Sequence, residues 1–432
     1  MRSSPWPREK LNSVCLNITD GKHGDCKNED GSGFYFVSVK DIYDGKINYG
    51  RARQITETDF REVDRRTRFE PYDILITNSG TIGRMALVRS DAHTRRTTFQ
   101  KSVAIVKPDL KVVDPGYLYY CIMEDMFRLS ELAGGTTQKN LLLRDLRSFE
   151  VPTPPVPEQR AIAATLSCLD DKIELNNRMN KNLEETAQAL FKSWFVDFDP
   201  VKAKMEGREP AGMDAETAAL FPDEFEESEL GPIPKGWRTG RLGEVVASIR
   251  QAASLAEIGD DCPYVGLEHI PRKSLMLESW GQASEISSQK SSFRAGNILF
   301  GKLRPYFHKV SIAPVDGICS TDILAFSASE EWYGFAVGHL YSTDLIDYAT
   351  NLSQGTRMPR VNLKDISNYP VVLPGLGIAS AYSNVAASWF AHMLANARQN
   401  SRLSALRDTL LPRLMSGEIR VPQAEEIMEE VL

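Results

Sequence analysis

The 432-residue chain has no run of eighteen apolar residues, so no membrane-spanning helix is expected. Its start, MRSSPWPREKLNSV, lacks the apolar stretch of a secretory signal. Its six cysteines, Cys15, Cys26, Cys121, Cys168, Cys262 and Cys319, are scattered with no C-x-x-C spacing. Reduced thiols and a cytoplasmic location are the expectation. There is no G-x4-G-K-[ST] loop, which argues against an ATP motor in this chain. There is no Asn-Pro-Pro-aromatic stretch of the kind amino-methyltransferases use. The six histidines are dispersed, without paired ligand spacing, and Cys15, His23 and Cys26 would need a distant fourth ligand to hold zinc. In Pro108-Asp109-Leu110-Lys111 the acid and the lysine stand too close for the nuclease motif they superficially match. The expectation is a chain with no catalytic residues, no metal and no cofactor of its own.

A net charge of −7 would argue against a nucleic-acid partner, but its distribution matters more. Asp197 to Leu230 holds eleven acidic and three basic residues, and the tail after Pro422 adds four glutamates. The rest of the chain is mildly basic. An acidic, solvated linker at 197–230 would account for the low pI and leave the folded parts free to meet phosphate.

What the sequence does have is a repeat. GTTQKNLLLRDL (Gly135 to Leu146) returns as GTRMPRVNLKDI (Gly355 to Ile366). W-x4-L occurs at Trp6 and at Trp237, FVSVKDI (Phe36 to Ile42) resembles YVGLEHI (Tyr264 to Ile270), and YDILITNSGTIGRMALV (Tyr72 to Val88) resembles GNILFGKLRPYFHKVSI (Gly296 to Ile312). The order is the same in both halves, which indicates two copies of one unit rather than a solenoid. Within a copy, FYFVSV, DILIT, MALV and VAIVK are short β-type runs, and Gly116 to Leu132 has helical spacing. The predicted class is α+β, with two similar mixed α/β modules. The prolines of VPTPPVP (Val151 to Pro157) must break regular structure before the next segment.

That segment carries a heptad rhythm. Ile162, Leu166, Leu169, Ile173, Asn176, Asn180, Leu183, Ala187, Leu190 and Trp194 step by four and three, as do Tyr382, Ala386, Trp389, Met393, Asn396, Asn400, Leu403, Arg407, Leu410 and Leu414. The polar interruptions fall at the same two places. An antiparallel pair would set Asn176 against Asn400 and Asn180 against Asn396, with Trp194 near Tyr382 and Arg407 near Asp170. Each helix would be about 55 Å long and would hold the modules apart on a pseudo-two-fold axis. The alternative is that each helix packs on its own module with the asparagines facing water. The predicted boundaries are 1–157 and 231–376 for the modules, 158–196 and 377–415 for the helices, 197–230 for the linker and 416–432 for the tail.

The helix region PPVPEQRAIAATLSCLDDKIELNNRMNKNLEETAQALFKSWFVDFDPV (Pro154 to Val201), together with DILITNSGTIGRMALV, GTTQKNLLLRDL and LLPRLMSGEIRV (Leu410 to Val421), resembles the specificity subunits of type I restriction–modification systems. The resemblance covers nearly the whole chain. It implies two target-recognition domains, each reading one half of a split site on double-stranded DNA. It also implies a complex with two methyltransferase subunits and, for cleavage, two restriction subunits, which would carry S-adenosylmethionine, ATP and Mg. The second copy departs in two places: P-x-P-E-Q-R (Pro155 to Arg160) becomes GLGIAS (Gly375 to Ser380), and NSGTIG becomes GKLRPY.

Arginine and lysine dominate phosphate contacts, and arginine reads guanine edges. The candidates are Arg51, Arg53, Arg84, Arg95, Arg96 and Lys139 in the first module, and Arg294, Lys302, Arg304, His308, Lys309, Arg357 and Arg360 in the second. Solvated charge is the plainer reading of any one of them. Phe191, Trp194, Phe195 and Phe198 exceed what one seam needs, and are assigned to a docking surface for a methyltransferase subunit, with core packing as the alternative. Two other functions stay open: an autonomous nuclease or methyltransferase, and a two-headed scaffold that binds proteins.

Overall fold

The computed structural model describes residues 5–43, 45–134, 139–249, 252–253, 259, 261–283, 290–355 and 358–431. The chain forms two compact units. Met1–Asp171 with Ser404–Leu432 make the first, and Lys172–Leu403 make the second. Two helices, Val156–Phe195 and Leu376–Ser416, each contribute a part to both.

In the first unit an antiparallel sheet runs in the order Cys15–Asp20, Val103–Pro108, Ile74–Thr77, Met85–Leu87. Its central strands are apolar but for Thr77 and Lys107 and buried but for Lys107, as befits strands covered on both sides. A second small sheet pairs Tyr35–Val37 in parallel with Thr97–Phe99 and antiparallel with Arg53–Gln54. Val37, Phe69, Leu75, Phe99, Val103 and Ile105 close the core between these sheets. The strand Arg8–Lys10 pairs with Glu150–Pro152, so the module's first and last strands meet.

The second unit repeats this plan. Its main sheet runs Ala247–Ile249, Ile323–Ser327, Ile298–Gly301, Val310–Ile312, again antiparallel. Pro263–Val265 lies parallel to Gly317–Cys319, as Tyr35–Val37 does to Thr97–Phe99. Arg238–Arg241 pairs with Pro370–Leu373, matching the closure in the first unit. The helical run at Gly116 to Leu132 breaks at Asp125 into Pro115–Glu124 and Met126–Glu131, and its counterparts are Tyr333–Tyr341 and Thr343–Leu352. In each unit a glycine lets the module's helix lie against the long helix. A Cβ on Gly116 would stand 3.2 Å from Ala163 Cβ, and one on Gly334 would stand 3.0 Å from Ser383 Cα.

In the second unit the long-helix segments run antiparallel, because partners rise in one as they fall in the other. Asn176 Nδ2 donates to Asn400 Oδ1 and to Gln399 Oε1, both at 2.8 Å, and Asn396 Nδ2 donates to Asn180 Oδ1 at 2.8 Å. Asn400 Nδ2 in turn donates to Asn177 Oδ1, and the Tyr382 hydroxyl donates to the Ala187 carbonyl at 2.9 Å. Asn176, Asn180 and Asn400 are buried, so these bonds satisfy amide groups that would otherwise be costly, although Asn176 Oδ1 has no partner among the described residues. In the first unit Arg407 Nη1 donates to Asp170 Oδ1 at 2.7 Å, and the Tyr120 hydroxyl donates to Asp170 Oδ2 at 2.6 Å.

Two expectations are corrected. The segment 197–230 is not a solvated linker: it forms helices Asp199–Met205 and Ala215–Leu220 and a hairpin of Phe225–Ser228 with Gly231–Pro234. Val201, Phe221 and Ile233 enter the core of the second unit while the acidic side chains stay outside, and net charge cannot distinguish that arrangement from a free linker. Likewise Phe191, Trp194 and Phe195 are buried in that core and Phe198 is packed against it, so they offer no exposed docking face. Trp194 meets Phe221 and Tyr382, Phe195 meets Phe335 and Trp237, and Phe198 meets Trp237. The excess of aromatics over the seam serves the module and the 197–230 segment instead.

Candidate nucleic-acid interface

The described part of the repeated motif sits at the same backbone junction in both units. In the first, Gly134 and Asn140 exchange both backbone hydrogen bonds, and the Leu141 amide donates to the Asn78 carbonyl at 2.8 Å. In the second, Gln354 and Arg360 exchange the same pair, and the Val361 amide donates to the Lys302 carbonyl at 3.1 Å. Asn78 and Lys302 follow the strands Ile74–Thr77 and Ile298–Gly301, so the motif is latched to the main sheet's hairpin. Leu141 and Leu146, with Val361 and Ile366, are buried and fix the motif's base, whereas Leu143 and Leu363 are only half-buried. Gly355 takes φ +105°, a conformation glycine adopts without strain. Gly135, Thr136, Gln138 and Arg357 lie outside the described residues.

The first-unit candidates separate into two groups. Arg84 and Lys139, both exposed, belong to the hairpin and its latch. Arg84 Nη1 donates to the Val39 carbonyl at 3.2 Å, which ties the hairpin to the small sheet. Arg51, Arg95 and Arg96 are exposed on two short 3-10 turns beside the small sheet, Tyr49–Arg51 and Thr94–Arg96. Arg96 lies over the Phe34 ring at 5.8 Å. Arg53 is the exception. Its guanidinium donates to Asn28 Oδ1, the Cys26 carbonyl and Asp25 Oδ1 and lies over Phe36, so it pins the 25–28 loop. The sequence reading missed the rings between these arginines: His93 packs against Tyr35 and Tyr49, with centroids at 5.1 and 4.7 Å.

In the second unit Lys302 and Arg360 line a concave groove of about 660 Å³ with Lys290, Gln354, Thr321 and Asn362. Arg360 is exposed and held from behind by Asp322, Nε to Oδ1 at 3.0 Å and Nη2 to Oδ2 at 3.4 Å. Arg294 is exposed at the turn after Lys290–Phe293. Arg304 takes φ +52°, and its amide donates to the Pro359 carbonyl at 2.8 Å. Two candidates are corrected. His308 is buried with Nε2 2.9 Å from the Tyr341 carbonyl, and burial depresses its pKa, so it is a neutral structural imidazole. Lys309 Nζ donates to the Leu267 carbonyl and is half-buried, and burial again lowers its pKa. A hairpin that alternates inward and outward side chains buries some basic residues, and spacing alone does not say which. Lys290, Gln354 and Thr321 were missed because they come from separate strands and loops that only the fold brings together.

Among the described residues no group of three or more acidic, histidine or cysteine side chains could hold a metal ion. No helix among them is long and apolar enough to cross a membrane.

Residues 10–185 match the type I restriction modification DNA specificity domain. The specificity subunit of the type I restriction enzyme MjaIX of Methanocaldococcus jannaschii is 28% identical over 385 residues, which cover 86% of this chain and 83% of that one. The specificity subunit of HindI of Haemophilus influenzae is 26% identical over 377 residues, covering 73% and 80%. The crystal structure of the S subunit of a type I restriction–modification system from M. genitalium aligns with a TM-score of 0.58 at 17% identity, over 96% of this chain and 97% of that one. At that identity the likeness is one of fold. The chain is thus similar over most of its length to specificity subunits of type I restriction–modification systems, and residues 10–185 match their DNA specificity domain.

Proposed function

We propose that this chain is the non-catalytic DNA-specificity subunit of a type I restriction–modification complex and reads a split, asymmetric site on double-stranded DNA. The observation that carries this is the duplicated module. Two α/β heads share strand order and latch but present different side chains at the same positions. Repeated frameworks with diverged surfaces suit two half-sites of different sequence. The long helices would form an antiparallel coiled coil relating the heads by a pseudo-two-fold axis. The asparagine pairs Asn176–Asn400 and Asn180–Asn396 would fix its register, since a slip leaves buried amides unpaired. Arg51, Arg84, Arg95, Arg96 and Lys139 would serve one half-site, and Arg294, Lys302, Arg304, Arg357 and Arg360 the other. Two methyltransferase subunits, and two restriction subunits for cleavage, would supply the chemistry together with S-adenosylmethionine, ATP and Mg, in the cytoplasm. The test is base-resolution methylation mapping of the host genome with and without the gene. Loss of one split, asymmetric motif on deletion is expected. Unchanged methylation in a host expressing the chain and its methyltransferase partner, or loss of an unsplit motif, would overturn the reading.

A further inference from the structure

The latch does more than anchor a loop, because it defines three equivalent positions in the two units. The Asn78 amide donates to the Ser102 carbonyl at 3.0 Å, and the Lys302 amide donates to the Asp322 carbonyl at 2.9 Å. Asn140 bridges to Ser79 and to Gly134, and Arg360 bridges to Leu303 and to Gln354. Five backbone contacts therefore coincide, and they superimpose Asn78 on Lys302, Ser102 on Asp322 and Asn140 on Arg360. The backbone is the same while the side chains differ in kind. One unit presents two amides and a hydroxyl. The other presents a lysine, a carboxylate and a guanidinium.

We infer that these three positions determine which base pair each head accepts at one place in its half-site, A·T for Asn78, Ser102 and Asn140, and G·C for Lys302, Asp322 and Arg360. This rests on the DNA-reading function proposed above. In the major groove a carboxamide pairs with adenine N6 and N7, a guanidinium or ammonium group pairs with guanine O6 and N7, and a carboxylate accepts from cytosine N4. Asp322 holds Arg360 through Nε and Nη2, which orients the fork and leaves Nη1 without a partner among the described residues. A preoriented arginine loses little freedom on binding, and specificity follows from that rigidity. Lys302 and Arg360 stand together at the edge of a groove of about 660 Å³ whose lining mixes polar residues with Ile323, Leu324 and Val361. In the first unit Asn78 is buried with its Oδ1 shielded from solvent, whereas Ser102 and Asn140 are half-buried, so the carboxamide contact at this junction falls to Asn140.

The experiment exchanges the set: Lys302→Asn with Asp322→Ser and Arg360→Asn, in the full chain, expressed with its methyltransferase partner and mapped across the genome. The expected result is a change at one base pair of one half-site, from G·C toward A·T, with the other half-site untouched. Arg360→Ala alone, which leaves the backbone latch intact, guards against misfolding of the exchanged variant. The purified complex carrying it is titrated against duplexes that each change one base pair. Discrimination at that one pair should fall about 10- to 100-fold while the rest of the motif is kept. Unchanged preference at every position overturns the inference. So does equal weakening on all sequences with a shallower salt dependence, which identifies a phosphate contact. In both cases the wild-type motif remains split, so the two-headed reading survives. An unsplit wild-type motif overturns both.

Discussion

The two units have the same strand order but fasten module to helix by different chemistry. In the first, the fastening is polar: Tyr120 and Arg407 converge on Asp170, and Arg420 stacks on Trp6 at 4.1 Å while pairing with Glu158 at 3.2 Å. In the second it is aromatic around one buried acid. The Phe191 ring fills the space where Gly338 has no side chain, in contact with Phe335, His339 and Tyr382. Beside it Glu184 accepts hydrogen bonds from the Tyr341 hydroxyl at 2.7 Å, the Leu275 amide at 2.8 Å and Gln188 at 3.0 Å. Shape, set by backbone pairing and apolar burial, is shared by the two copies. The side chains at the joints have been free to differ because each joint needs only to be filled and its polar atoms satisfied.

The sharpest way to break the comparison is Phe191→Ala. Removing a buried ring against Gly338 should cost about 3–5 kcal/mol. Amide exchange should accelerate across Lys172–Leu403 and change little in Met1–Asp171. Glu184→Ala comes next, since it strands the Tyr341 hydroxyl and the Leu275 amide, at about 2–3 kcal/mol. Chemical denaturation followed by tryptophan fluorescence would record it, because five of the six tryptophans lie in the second unit.

Acid should separate the units at about 2 kcal/mol. Burial holds the His339 pKa down to about 3, so the unfolded chain takes up a proton near pH 6.5 where the folded one does not. Stability from this residue is present above about pH 6.5 and is lost as the pH falls toward 3, with about 2 kcal/mol gone by pH 5. His308, also lowered by burial, acts in the same direction. Glu184, raised by burial, acts in the opposite direction and offsets part of the loss. In the first unit burial raises the Asp73 pKa to about 6 despite the Lys107 ammonium group 2.6 Å away, so that residue favours the folded state more as the pH drops. His339→Leu should remove most of the second unit's acid sensitivity, measured by exchange at pH 7 and pH 5. If the two units lose stability in parallel on acidification, the contrast fails. The smallest effect is expected from Asp170→Asn, which weakens a half-buried ion pair by about 1 kcal/mol and should be confined to the first unit.

Much of this was legible in advance. The strand runs DILIT, MALV and VAIVK became the strands Ile74–Thr77, Met85–Leu87 and Val103–Pro108, because period and turn residues are local signals. The asparagines at matching heptad positions lie opposite one another, because a buried amide has few other partners. The candidate interface was only half legible. Arg51, Arg84, Arg95, Arg96, Lys139, Arg294 and Arg360 are exposed, but His308 and Lys309 turn inward, and Arg53 serves its own loop. Residue type gives the capacity to bind phosphate or a base, and orientation depends on neighbours distant in sequence.

The order of amino acids by itself determined that the chain is a duplication, that each copy mixes strand and helix, and that two long helices follow the modules. All of these rest on periodicity and repetition, which survive without knowledge of any contact. Only the tertiary structure decided that the 197–230 segment packs into the second unit, that Phe191 fills the space at Gly338, and that Asn78, Ser102 and Asn140 occupy the places of Lys302, Asp322 and Arg360. Those outcomes depend on residues tens to hundreds of positions apart meeting in one place, and they are settled by the packing of the whole unit rather than by any local preference.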